Sequence, residues 1–257
     1  MLRSVLLALL GLFILGPVSK AATWLPAETL FPRHLASPLE PRMAITAHLD
    51  GDQMDAALGQ GIPIVQFGGT HPWAIQLEAA ALFTLGRDGS FFPLQTFDGL
   101  VGLGFETERQ PFFFRLRLMH QSAHLADGDS TVTFRGKTFS REYATTEVAY
   151  AFDRSGRFKQ AVVYGGLSAS WHAVPEDKLR LHVGGHVQTP QGFTLGLHLS
   201  LRDTDSAVLR RHVLLGWTFK HTMFLGLRYG KGDAFQGQRE GLPVEDLSFE
   251  LRWDRNP

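Results

Sequence analysis

From Met43 onward, apolar and polar side chains alternate along most of the chain with a period of two. A strand sends successive side chains to opposite faces, so this pattern predicts strands. Trp73–Leu85 sets Trp73, Ile75, Leu77, Ala79, Ala81, Phe83 and Leu85 on one face against Gln76, Glu78 and Thr84 on the other. Leu94–Thr107 puts Phe97, Val101, Leu103 and Phe105 opposite Asp98 and Glu106. Phe112–Ala123 follows, with Phe112, Phe114, Leu116, Leu118, His120 and Ser122 facing one way and Arg115 and Arg117 the other. Tyr143–Phe152, Ala161–Trp171, Leu179–Val187, Phe193–Leu201, His212–Phe219, Thr222–Tyr229 and Leu247–Trp253 continue the alternation, while Met43–Leu49 and Ile62–Phe67 are its weakest members. The pattern predicts about twelve strands and no helix in this region.

The predicted connections alternate in length. Gly69–Pro72, Glu108–Pro111, Thr189–Gly192 and Lys220-His221 are short, and Asp153–Lys159 is somewhat longer. Asp50–Gly61, His124–Glu142, Asp203–Arg210 and Lys231–Asp246 are long, with Arg87–Pro93 and His172–Asp177 intermediate. Short turns at one end and longer loops at the other are the pattern of a transmembrane barrel. A soluble sandwich or lipocalin-like barrel also alternates. Its outer face would carry charge, whereas here one face is apolar and the other mixes Arg, Glu, His, Gly and Ser. The expected fold is all-β: a closed antiparallel transmembrane β-barrel of one domain, residues 43–257, with the apolar stripes outward. Arg115, Arg117 and Glu147 share the inward parity on adjacent strands and are expected to meet in the lumen, because buried charges require partners. Arg180, Arg228, Arg252 and Glu250 join this interior set, in a lumen narrow enough for side chains to fill.

Met1–Ala21 reads as a signal peptide. Arg3 gives a positive start, Val5–Leu15 is apolar, Gly16-Pro17 breaks it, and Ser19-Lys20-Ala21 offers the small residues of a cleavage site. The run is short for a membrane anchor, and no later segment reaches the length of a spanning helix. Ala22–Arg42, with Pro26, Pro32, Pro38 and Pro41, has no period and is expected as an extended periplasmic segment before the first strand. The 25 basic and 25 acidic side chains balance, which argues against a nucleic-acid partner. The absence of cysteine excludes disulfides, thiolate metal sites, a cysteine nucleophile and a lipoprotein anchor. Trp73, Trp171, Trp217 and Trp253 fit interfacial positions.

An even strand count puts both termini on the periplasmic side, so the fifth predicted strand runs outward. His120 and Ser122 then face lipid at the level of the outer leaflet. Two positions apart, they stand about 6.6 Å apart along the strand, which an imidazole and a hydroxyl can bridge. Ser122 as nucleophile and His120 as base need a third group to orient the imidazole. Glu142 has the right parity on the next strand, and Asp127 is the second candidate. The alternative is a polar cap where the strand leaves the membrane, where such residues cost little. No cofactor is indicated. A metal site at His120 with His124, or at His182 with His186, would need ligands about 13 Å apart along one strand to converge, so none is assigned.

Three stretches carry a resemblance: Leu30-Phe31-Pro32 with Leu35-Ala36-Ser37-Pro38-Leu39-Glu40-Pro41-Arg42; Arg115 through Asp127, with its core His120-Gln121-Ser122-Ala123-His124-Leu125; and Ser140-Arg141-Glu142. Together they resemble a Gram-negative outer-membrane β-barrel family defined as a domain of unknown function. The resemblance covers most of the mature chain and implies an outer-membrane location, with outer-membrane lipid and the barrel assembly machinery as partners; it does not specify an activity. The His120-x-Ser122 pair is also similar to that of outer-membrane phospholipase A and the lipid A deacylases, which carry a lipid-facing His–Ser pair oriented by an Asn or Glu on the next strand. Those families follow the Ser with Asn; this chain has Ala123. Two functions follow: a structural or narrow-channel barrel, or an outer-leaflet lipid acyl hydrolase whose oxyanion donor is a backbone N–H of the His124–Glu142 loop or a bound divalent cation.

Overall fold

A computed structural model describes residues 22–126, 139–152, 158–174, 178–203, 208–219, 222–234 and 243–253. The expected signal peptide and Asp127 lie outside the described residues. The described elements are all strands: β1 (Ala22–Trp24), β2 (Met43–His48), β3 (Gln53–Phe67), β4 (Trp73–Gly86), β5 (Leu94–Arg109), β6 (Phe112–Leu125), β7 (Phe139–Ala151), β8 (Gln160–Val174), β9 (Leu179–Gln188), β10 (Phe193–Arg202), β11 (Val208–Phe219), β12 (Met223–Asp233) and β13 (Pro243–Trp253). From β2 each strand pairs antiparallel with the next, and β13 returns to β2 with Trp253 opposite Met43. Twelve strands, β2 to β13, thus close the expected antiparallel barrel. Closure removes free sheet edges from the ring.

The two faces separate as the alternation predicts. Leu103, Val148, Val163, Leu181, Leu197, Leu215, Leu225 and Phe249 point outward and are exposed. Gln76, Glu78, Asp98, Arg115, Glu147, Arg228 and Glu250 point inward and are buried. The outward face also has distinct ends. Trp73, Phe112, Tyr150, Phe193, Trp217 and Trp253 lie at the end that holds Met43 and Trp253, the terminal end. Arg211, Lys231 and Glu245, neighbours in register, lie outward at the opposite, loop end. Trp171 is at this loop end too, separated from the other three tryptophans singled out above.

One expected loop is a strand. Residues 53–61, read as part of a long connection, form the first half of β3, so the β2–β3 connection shrinks to a turn at residues 49–52. This half was hidden because its inward side chains are small or polar (Asp55, Ala57, Gly59, Gly61), with Ala56 and Gln60 on the other face. Two of the expected long connections, His124–Glu142 and Lys231–Asp246, are narrowed by longer strands, with β6 ending at Leu125 and β7 starting at Phe139, and β12 ending at Asp233 and β13 starting at Pro243.

Residues 25–42 also depart from expectation. They are not an extended segment outside the barrel. After β1 pairs with the terminal end of β3, the chain enters the lumen, and Phe31, His34, Leu35, Ala36, Ser37, Glu40 and Arg42 are buried there. The physical reason is that the interior offers both kinds of partner. Phe31 packs with Phe113, Ala149, Val162 and Tyr164. Leu35 and Ala36 pack with Leu214 and Phe224, and Leu39 lies against Ala44, Ala57, Ala80, Leu82, Leu100 and Met119. Glycine makes the room: a Cβ on Gly216 or Gly226 would come within 2.6 or 2.5 Å of the Phe224 ring.

Phe224 therefore tests the plug's apolar seat. Phe224→Ala should destabilise the folded barrel by about 3–5 kcal/mol, read as a lower urea midpoint of the detergent-refolded protein. A change below about 1 kcal/mol would mean that Leu35 and Ala36 do not rest on this ring.

Candidate functional site

Two places concentrate polar chemistry, one on the outer wall and one in the lumen. On the wall, the β6–β7 register sets His120 opposite Glu142 and Ser122 opposite Ser140. His120 Nδ1 lies 3.3 Å from Glu142 Oε1, with the two side chains 42% and 34% exposed. The expected carboxylate thus stands beside the expected base. A hydrogen bond to Nδ1 fixes the imidazole so that Nε2 is the nitrogen left for proton transfer. Ser122 shares the outward parity of His120, but among the described residues its hydroxyl makes no hydrogen bond. His120 and Glu142 are brought together; Ser122 is adjacent and not yet engaged.

Sequence reasoning missed His172 in this row. A register irregularity in β7–β8 after Glu142 places His172 opposite it, with Trp171 as the extra residue. Glu142 is then flanked by imidazoles on both neighbouring strands. The expected strand ended at Trp171 and left His172 in the following connection, whereas β8 runs on to Val174.

In the lumen, the expected meeting of Arg115, Arg117 and Glu147 occurs. Arg115 Nε donates to Glu147 Oε2 at 2.6 Å, and Arg117 donates to Glu147 Oε1 at 3.0 Å. The remaining Arg115 donors reach both oxygens of Glu40 at 3.2 Å, a two-pronged contact with the plug. Planar guanidinium matched to carboxylate is the strongest form of such pairing. Arg117 also donates to Glu78 at 3.3 Å. Glu106 accepts the backbone N–H groups of Leu30 and Phe31 at 2.9 and 3.1 Å.

A second cluster grips the plug's backbone from the opposite wall. Arg228 donates to the carbonyls of Ala36 and Leu35 at 3.0 and 3.4 Å, and Arg252 donates to Leu35 at 3.1 Å. Glu250 sits between these guanidinium groups, 2.7 Å from Arg228 Nε. Plug carbonyls and N–H groups buried without partners would be costly; the wall supplies them.

Histidines gather beside the first cluster. His34, on the plug, stacks on Tyr164 with ring centroids 3.6 Å apart. His182 lies 5.6 Å from His198, and His198 lies 6.4 Å from His212, centroid to centroid. His182 and His186, weighed above as a metal pair, do not converge on one another; His182 instead approaches Glu147 at 3.2 Å. The role of His34 was invisible because it is far from His182 in sequence.

A cavity of about 1080 Å³ opens at the terminal end, lined by the plug and by Glu108, Phe113, Lys159, Gln188 and Trp253 among others. On the loop side of the plug a second cavity of about 60 Å³ is lined by His34, Leu39, Arg141, Tyr143, His182 and His198 among others. The plug therefore divides the lumen.

No family model matches the chain, and no curated protein matches it. Among solved structures it is similar to the β domain of the Bordetella autotransporter BrkA, at 10% identity with a TM-score of 0.39, over 82% of this chain and 95% of that one.

The buried carboxylate at the centre of the network has a measurable consequence. Glu147→Ala leaves two guanidinium groups short of a partner and should cost about 3–5 kcal/mol. Combined with Arg115→Ala, the loss should be smaller than the sum of the two single losses, because the pair is in contact. Additive losses in urea unfolding would show that the contact contributes nothing.

Proposed function

We propose that this protein is a plugged β-barrel of the Gram-negative outer membrane, assembled by the barrel assembly machinery and surrounded by lipid. The observation that carries the reading is the outward band: exposed leucine, valine and phenylalanine bounded by aromatic rings at the terminal end and by Arg211, Lys231 and Glu245 at the loop end. A soluble barrel would bury that apolar surface, and exposed patches of this extent mark contact with a partner or a membrane. Aromatic girdles flank the apolar band of membrane barrels. The reading is of a closed barrel, not an open channel, because the N-terminal segment fills the middle of the lumen.

A second reading is favoured by the His120 Nδ1–Glu142 Oε1 contact. In it the barrel hydrolyses lipid esters at the outer leaflet. Ser122 Oγ attacks the acyl carbonyl carbon while His120 Nε2 takes its proton, and Glu142 stabilises the imidazolium. The acyl–oxygen bond of the lipid then breaks, the alcohol leaves with that proton, and water releases the fatty acid from Ser122. The alternative is a polar row at the membrane boundary, at the same loop end as Arg211, Lys231 and Glu245.

Two measurements separate these statements. Leu197→Arg, on the outward face of β10, should cost about 2–4 kcal/mol when the protein is folded in lipid vesicles; a cost near zero would contradict the membrane reading. For the chemistry, purified protein in detergent should release fatty acid from phospholipid or lipid A, and Ser122→Ala should abolish release while the folded, heat-modifiable barrel persists. Absence of release by wild type, across lipids and with or without divalent cations, would leave the row as a boundary.

A further inference from the structure

The lumen holds a three-residue constellation that neither the barrel nor the wall row requires. His34 Nδ1 is 3.5 Å from Glu147 Oε1, and His182 Nε2 is 3.2 Å from the same oxygen. One ligand atom from each of the three residues lies within 4.8 Å of the others. Zinc bonds of about 2.0–2.1 Å in a tetrahedron place neighbouring ligand atoms roughly 3.3–3.4 Å apart. The two measured separations from Glu147 bracket that edge.

Both imidazoles are short of partners. The His34 and His182 side chains are 1% and 9% exposed; among the described residues His182 Nε2, the atom facing Glu147, makes no hydrogen bond, and on His34 it is Nδ1 that faces Glu147 while Nε2 is left without one. His182 Nε2 is close to Glu147 without being aligned to donate to it. Buried polar atoms are normally paired, so an unpaired one calls for an explanation.

Charge points the same way. Around Arg115 and Arg117 stand four buried carboxylates: Glu40, Glu78 and Glu147 in ion-pair contact, and Glu106 opposite Arg115 in register. Two guanidinium groups leave this cluster locally anionic, which favours a cation there; the matching surplus of positive charge lies at the opposite wall, where Arg42, Arg228 and Arg252 surround Glu250. Glu147 Oε1 has two lone-pair directions, one of which Arg117 uses. The 60 Å³ space lined by His34 and His182 has room for water as a fourth ligand.

We propose that His34, Glu147 and His182 form a binding site for one divalent transition-metal ion of the zinc class. Two imidazoles and one carboxylate suit zinc, not magnesium or calcium, which take oxygen ligands. The three ligands come from three separate elements: the plug, β7 and β9. The ion therefore staples the plug to the wall at its midpoint, and its removal loosens the plug without opening the barrel.

The test uses the full-length folded barrel, stripped with chelator and reloaded. Zinc should return at one ion per chain by elemental analysis, and cobalt(II) should give the intense visible absorption of a tetrahedral site. His182→Gln should weaken zinc by at least about 100-fold, while His120→Ala, on the outer wall, should leave affinity unchanged. Zinc that persists in His182→Gln and is lost in His120→Ala would overturn the site. So would a wild-type barrel that takes up no zinc and gives no tetrahedral cobalt spectrum, in which case protonated carboxylates or histidines offset the charge. The cobalt spectrum needs no variant, so it decides the matter even if His182→Gln fails to fold.

Discussion

The contact between Arg115 and two carboxylates, Glu147 on the wall and Glu40 on the plug, is the constraint on which the interior depends. The wall's own side chains, expected to fill the lumen of a twelve-strand barrel, do not fill it by themselves. Inward glycines and alanines on β2, β3 and β5 leave space. Residues 25–42 occupy it, and the guanidinium of Arg115 joins the occupant to the wall through both prongs. Breaking either side strands a buried charge, so the plug and the wall specify one another.

The wall was legible because period-two alternation survives wherever one face meets apolar surroundings and the other a polar lumen. It failed at residues 53–61, where the inward residues include Asp55, Ala57, Gly59 and Gly61 and the outward ones Ala56 and Gln60, so the two faces barely differ in polarity. The plug itself was read as extended because prolines and the absence of a period erase any strand or helix signal. The sequence nevertheless carried a hint: Phe31, Leu35 and Leu39 are apolar in a segment that also holds His34, Glu40 and Arg42. Apolar and ionisable residues together in an irregular stretch fit a buried polar interior better than an open linker.

The candidate sites divide along the same line. His120 and Glu142 were found by parity on two adjacent, regular strands, and the structure sets them 3.3 Å apart. His172 was missed because the apolar face of its strand ends at Trp171, so the residue was read as the start of a connection, while β8 continues to Val174. His34, Glu147 and His182 were missed as a group because one member sits on the plug, whose position no local rule predicts. Residues 30–42 and the strand from Arg115 meet in space through Glu40 and Arg115.

Seating of the plug is open to a direct chemical test. A Cβ on Gly196 would lie 3.2 Å from Ala36 Cβ, close to the roughly 3.5–4.5 Å spanned by a disulfide. The chain has no native cysteine, so any disulfide must come from the introduced pair. The double variant Ala36→Cys, Gly196→Cys should oxidise to near completion in the folded barrel, giving a reducible shift in gel mobility. Two free thiols that both react with a maleimide reagent after oxidation, in a barrel that is otherwise folded, would contradict the account.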